Sequence, residues 1–401
     1  MEVRPILSAL RRNPTGALLV ALQIALALAI VVNSTYIIVQ RLEKMGRDPG
    51  LDVPNIFFVA FAPTGKDYNA EAAMRDDIAL LRELPGVVDA TTINALPLSG
   101  GGSATSVYTE PEEKGQEGDG NYFEVDEHGI AALGVKLVEG RNFDPNVVTK
   151  PAVNSGWRPP EVIISRAFAQ KLFGDAPAVG KSIYDGLGNP VPVVGVIEHM
   201  HGSWVDWKNL NHIMLFPAIS DERFAYYLVR AKPGQRDAMM QLAEHELGEI
   251  DNGRIITKVK SLEAIAAGSY ADDRAMAVYL SVVIVLLLAI SALGIFGLAS
   301  FNVSTRTKQI GTRRAVGARR IDIVRYFLLE NWLVTTAGVV TGCVLALLLG
   351  FWLSTTFELP RLKLYYLVGG VAVLWAIGLA AAWMPARRAA RVSPAVATRT
   401  V

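Results

Sequence analysis

The sequence predicts an α-helical membrane domain of four transmembrane helices joined to an α+β domain of more than 200 residues outside the membrane. Three observations predict it. Apolar stretches near residues 16–39, 277–301, 327–355 and 364–384 are each long enough to cross a hydrocarbon core of about 30 Å, which takes about 20 residues. Residues 41–274 hold nearly all the Asp and Glu, are rich in turn residues and contain no such stretch. The short segments outside the apolar stretches, apart from this one and a turn near Pro360, are basic.

The totals agree with a mixture. In 401 residues the hydrophobic share is 51% and the net charge +1, too apolar for an ordinary soluble protein and too polar for a bundle of spans alone. The charge is segregated by segment and forms no basic face, so nucleic acid is not an expected partner. The one cysteine, Cys343, lies in an apolar stretch and cannot form an intrachain disulfide.

In chain order, Arg4, Arg11 and Arg12 precede the first span, Gly16–Val39. Ala27-Leu28-Ala29 would serve as a signal-peptidase site, but the apolar run continues past it, which favours an uncleaved anchor. Ala21, Ala25 and Ala29 recur every four residues, the spacing that lets membrane helices approach closely, and Gln23 and Asn33 are expected to face protein. Next come two strand-helix-strand units far apart in sequence. The first is Asn55–Phe61, Asn69–Leu84 and Val87–Ile93. The second is Ala225–Arg230, Gly234–Ile250 and Ile255–Val259, with Asp251-Asn252-Gly253 as its turn. Two such units fit one ferredoxin-like sheet. Between them, from Ser99-Gly100-Gly101-Gly102-Ser103 onward, lies an apparent insertion whose polar run Glu110–Gly120 reads as a loop. The domain boundaries follow: 1–40 tail and first span; 41–260 outer domain, with a porter part at 53–98 and 221–260 and an inserted lobe at 103–220; 261–401 stalk, spans two to four and a basic loop.

Ser261 to about Phe301 reads as one helix of about 60 Å at 1.5 Å per residue, longer than a membrane core, so that its outer part would project as a stalk. Gly338 and Gly342 form a GxxxG pair in the third span. A central Lys or Arg in a span costs about 2.5–3.5 kcal/mol, so the four windows are expected to be free of charge, with both chain ends on the basic, cytoplasmic side.

The loop between spans two and three orients the rest. It holds Arg306, Lys308, Arg313, Arg314, Arg319, Arg320 and Arg325 against the lone acid Asp322. Val303–Val316 reads as a short basic helix that Gly317 stops with a left-handed residue. Such a helix lies either on anionic lipid, at roughly 1 kcal/mol per charge, or on a partner protein. The pattern S-x-R-x-K-x-I-G-x-R-R-A-x-G-A-x-R-x-x-I, from Ser304 to Ile323, resembles the cytoplasmic loop of MacB/FtsX-type ABC transporter permeases, the mechanotransmission family. The insertion in the outer domain is similar to a MacB-like periplasmic core domain, so the resemblance covers nearly the whole chain.

The resemblance implies a permease subunit in the bacterial inner membrane that couples a separate cytoplasmic ATPase to conformational change in a periplasmic domain, driving export. ATP and Mg would be bound by that ATPase and no cofactor by this chain. Other implied partners are a second permease copy or paralogue in a dimer, a periplasmic adaptor, an outer-membrane duct and membrane lipid. Arg306, Lys308, Gln309, Ile310, Gly311, Arg313, Arg314 and Gly317 would couple to the ATPase, with Ile310 as the apolar contact. Where the family usually carries Glu, this chain has Gln309, so a salt bridge from that position is not expected. The alternative is an FtsX-like or peptide-sensing regulator of the cell envelope that uses the same mechanics.

Enzyme readings are weak. Gly174–Ser182 has five residues between its glycines where a phosphate-binding loop needs four, and Gly180-Lys181 more simply opens a strand. His245-Glu246-Leu247-Gly248-Glu249 lacks the second histidine of a zinc-protease helix. His199, His201 and His212 read as surface or turn residues without carboxylates or cysteines at ligand spacing. No nucleophile, base and acid stand together, and a membrane-anchored hydrolase is disfavoured.

Overall fold

A computed structural model describes residues 14–64, 68–149, 158–219, 225–250, 253–356 and 360–393. Arg4, Arg11, Arg12, the Asp251-Asn252 part of the predicted turn and Arg399 lie outside these residues. The chain forms two compact units, one of Arg47–Asp272 and one of the segments on either side of it.

In the first of these units, β1 (Ile56–Pro63), α2 (Ala70–Glu83) and β2 (Val87–Ile93) are answered by β10 (Tyr226–Ala231), α5 (Arg236–Glu249) and β11 (Arg254–Ser261). The four strands share one antiparallel sheet in the order β11-β1-β10-β2, the ferredoxin-like order with an insertion where strands two and three would form a hairpin. Asn69 starts α2 by accepting the Ala72 amide at 3.2 Å, a side-chain cap. β1 is central and buried on both faces. Phe57 and Val59 pack under α2 and α5, while Ile56 and Phe58 face the inserted lobe.

Asp77 of α2 and Arg254 of β11 form an ion pair at 2.6 Å with side chains 0% and 1% exposed. Arg254 also donates to the Leu247 carbonyl, and the Tyr227 hydroxyl to Asp77 at 2.7 Å. Burial and the Asp77 carboxylate push the Tyr227 phenol well above its ordinary range. The network ties both helices to the sheet.

The insertion holds β3 (Ser103–Glu110), β4 (Lys114–Val125), α3 (Gly129–Leu133), β5 (Leu137–Gly140), β6 (Val162–Ser165), α4 (Arg166–Phe173), β7 (Ser182–Tyr184), β8 (Pro190–Ile197) and β9 (Ile213–Pro217). Its sheet runs β5-β8-β6-β9-β4-β3-β7, and β7 pairs with β8 as well, so that apart from β5 it closes on itself. The polar run Glu110–Gly120 is a hairpin, not a loop. Its glycines mark close packing: a Cβ on Gly118 would lie 2.7 Å from the Phe168 ring of α4, and one on Gly120 3.1 Å from Met214. Gly180 has φ +86° and Lys181 lies over the Phe173 ring, so this stretch turns into β7.

The histidines differ from expectation at one point. His245 is exposed beside Glu249, and His212 stacks on Phe168. His201 is buried, 2% exposed, and its Nδ1 has no hydrogen-bond partner among the described residues. Burial first, then the nearby charges of His199 and Arg47, lower its pKa to about 4. The unfolded chain binds that proton near pH 6.5, so the neutral ring's contribution is complete above pH 6.5 and is lost as pH falls towards 4, by roughly 3 kcal/mol at 1.36 kcal/mol per unit. Thermal unfolding of the wild type should steepen across this window, and His201→Gln should remove that part of the slope. An unchanged slope would contradict the assignment.

In the other unit, α1 (Pro14–Met45), α7 (Ala271–Thr305), α9 (Arg320–Thr356) and α10 (Leu364–Ala389) are each long and apolar enough to cross a membrane. α1 runs past Val39 to Met45, where Lys44 pairs at 2.6 Å with Asp273, which Arg41 also contacts, at the start of α7. A seam of small residues joins α1 to α9. A Cβ on Gly338 would lie 2.6 Å from the Ala21 carbonyl, and one on Gly342 2.9 Å from that of Ala25. Asn33 closes the seam by donating to the Ala29 and Ala346 carbonyls. Gln23 faces Gly294 of α7.

The stalk is not one helix. α6 (Leu262–Ser269) is capped by Ser261 and ends at Tyr270, whose φ −94° and ψ 10° leave the helical range. Ser269 donates to the Leu98 carbonyl at 2.6 Å and Leu262 is buried, so α6 stays packed on the outer domain. The continuous part, α7, has 35 residues, or about 52 Å.

Candidate functional site

The basic loop folds as α8 (Thr307–Ala315), shorter than Val303–Val316. Val303 to Thr305 belong to α7, and the break is Arg306, with φ −107° and ψ 16°. The far end closes as expected: Gly317 has φ +104°, and the amides of Gly317 and Ala318 return to the Arg314 and Arg313 carbonyls.

α8 has two unlike faces. The inner one packs on its own chain. Ile310 is 4% exposed and packs with Ile323, Val324 and Phe327 of α9 and with Ala386 and Ala389 of α10. Gly311 beside it is also buried. Ile310 is therefore not presented to a partner. Arg306 donates to Glu330 of α9 at 3.0 Å, and Arg314 to the Ala390 carbonyl at 2.6 Å, a cation at the C-terminal end of α10. Arg313 lies 4.7 Å over the Tyr326 ring. The outer face carries Lys308, Gln309 and Thr312 and ends at Val316, which is 84% exposed. Arg319 and Arg320 follow it at the surface, and Arg319 opens α9 with its amide bonded to Asp322 at 3.0 Å.

Of the eight residues expected to couple, Arg306, Ile310, Gly311 and Arg314 thus hold the helix down, and Lys308 and Gln309 face outward. Arg313 is exposed yet anchored by its ring contact, and Gly317 makes the turn. Glu330 and Tyr326 were not anticipated. Glu330 also corrects the expectation that all four windows are free of charge, since it is the one charged residue in 327–355. Among the described residues, no group of three or more His, Cys, Asp or Glu could hold a metal.

Residues 17–245, more than half of the chain, match the MacB-like periplasmic core domain, and residues 281–394 match the C-terminal domain of FtsX-like permeases. The chain belongs to the MacB/FtsX-type permease family. The macrolide export ATP-binding/permease protein MacB of Chromobacterium violaceum is 28% identical over 271 residues, 65% of this chain and 40% of that protein. The protein of the same name in Burkholderia thailandensis is 28% identical over 281 residues, 67% of this chain and 41% of its own. This MacB/FtsX-type chain therefore spans about two-fifths of the length of the curated relatives it matches. The crystal structure of the periplasmic region of MacB from Actinobacillus actinomycetemcomitans covers 56% of this chain and 97% of its own, at 13% identity and a TM-score of 0.34.

Proposed function

We propose that this permease couples a separate cytoplasmic ABC ATPase, seated on the outer face of α8, to movement of residues 47–272 on the far side of the bacterial inner membrane. It exports a substrate from the periplasm or the inner membrane. ATP and Mg belong to the ATPase, and a second permease copy or a paralogue completes the assembly. The observation that carries this reading is the two-faced α8. Its inner face is fixed to α9 and α10, so a force on the outer face is delivered to the spans, and α7, which contains the second span, begins in sequence directly where residues 47–272 end. The seat is the exposed Val316, on a surface that also carries Lys308, Thr312 and Arg319.

Burying a valine side chain is worth roughly 1.5–3 kcal/mol, whereas a rim cation contributes about 0–1. Val316→Asp should cut copurified ATPase, and the ATP hydrolysis that accompanies it, about tenfold or more, and Lys308→Ala should change both much less. Were α8 only a lipid-binding segment, Lys308→Ala would be the more disruptive of the two, by loosening α8 from anionic lipid, and Val316→Asp would keep its ATPase. Wild-type copurification by Val316→Asp contradicts the seat.

A further inference from the structure

Glu330 is buried at the α8 end of the third apolar window, its side chain 4% exposed. A carboxylate there is costly unless paired, and ionisable groups in spans tend to serve a function. Both of its oxygens are engaged. Oε2 accepts from Arg306 at 3.0 Å and Oε1 from Asn302 Nδ2 at 3.3 Å. Asn302 is the last turn of α7, and Arg306 is the break before α8, so one carboxylate holds both sides of the joint. One turn earlier on α9, the Tyr326 hydroxyl lies 3.5 Å from Arg306 and its ring lies under Arg313. The backbone at Arg306 is not helical, so the main chain alone does not fix the direction in which α8 leaves α7.

We propose that Glu330 is a positioning residue for α8: its charge, held against Arg306 across the joint, sets the angle between the basic helix and the second and third spans. An apolar pair would hold the helices together as well, since buried ion pairs add little net stability. A charge pair adds a defined partner and direction. The meaning of that angle for transport rests on the reading of α8 as the ATPase seat, but the angle itself can be measured without any ATPase.

The test uses the full chain in lipid nanodiscs with Cys343→Ala, spin-labelled at Lys308→Cys on α8 and Ala337→Cys on α9, and reads the distance distribution by electron paramagnetic resonance. Glu330→Gln and Arg306→Gln should each broaden it roughly twofold, as a fixed joint becomes a set of angles. The exchange Arg306→Glu with Glu330→Arg should narrow it again, which a residue needed only for packing would not do. A second pair, Leu26→Cys and Val340→Cys on α1 and α9, should keep its width throughout. The proposal is overturned if Glu330→Gln keeps the wild-type width, if the exchange stays as broad as the single variants, or if the second pair broadens with the first. None of these outcomes depends on whether an ATPase docks.

Discussion

Ile310→Asp is expected to prevent the inner end of the bundle from assembling, not merely to weaken a docking contact. The side chain sits where α8, α9 and α10 meet, against Ile323, Phe327 and Ala386. Truncating a buried isoleucine costs about 2–5 kcal/mol, and an unpaired carboxylate in its place adds several more. That is comparable to the whole stability of a typical domain, about 5–15 kcal/mol. The detergent-stable fraction of the chain should fall by an order of magnitude or more. Ile310→Val, at about 0.5–1.5 kcal/mol, should behave nearly as wild type. A well-folded Ile310→Asp chain that has lost only its ATPase would show that Ile310 is a presented contact, the role expected from the sequence.

Asp77→Ala should be nearly as damaging in the outer domain. It leaves the Arg254 guanidinium buried without its counter-charge and the Tyr227 hydroxyl without its acceptor. Removing one member of such a pair typically costs 3–5 kcal/mol, whereas replacing both by apolar groups is often neutral. Denaturant unfolding followed by tryptophan fluorescence should show a loss of about that size for Asp77→Ala, and Asp77→Leu with Arg254→Met should regain much of it. An unchanged midpoint for Asp77→Ala would mean that the network does not hold α2 and β11 together.

Much of this architecture was legible because its signals are local. Apolar length gave the four helices, and strand-helix-strand alternation with its turn residues gave the split sheet. Small-residue spacing marked the contact of Ala21 and Ala25 with Gly338 and Gly342. What stayed hidden depends on contacts distant in sequence. Gly118 and Gly120 have the composition of a flexible loop, and only the approach of Phe168 shows them to be a packed strand. His201 looks like any turn histidine until the fold buries it. The break at Tyr270 follows directly on Ser269, whose partner Leu98 is 171 residues away. A basic helix with one isoleucine reads as a docking helix with an apolar contact, and nothing local tells that Ile310 faces inward while Val316 faces out. Glu330 could have been found, being the lone acid in an apolar window, but its partner lies 24 residues away across the turn of the loop.

The central claim is that the outer face of α8 carries the ATPase and its inner face carries the spans. The most direct test is a photo-crosslinking amino acid placed singly at Val316, Ile310 and Leu187 in the membrane of living cells, with adducts identified by mass spectrometry. Leu187 is 86% exposed in the outer domain and serves as the reference. The account predicts an adduct with an ABC ATPase from Val316 and none from Ile310 or Leu187. An ATPase adduct from Ile310, or only lipid adducts from Val316, would contradict it.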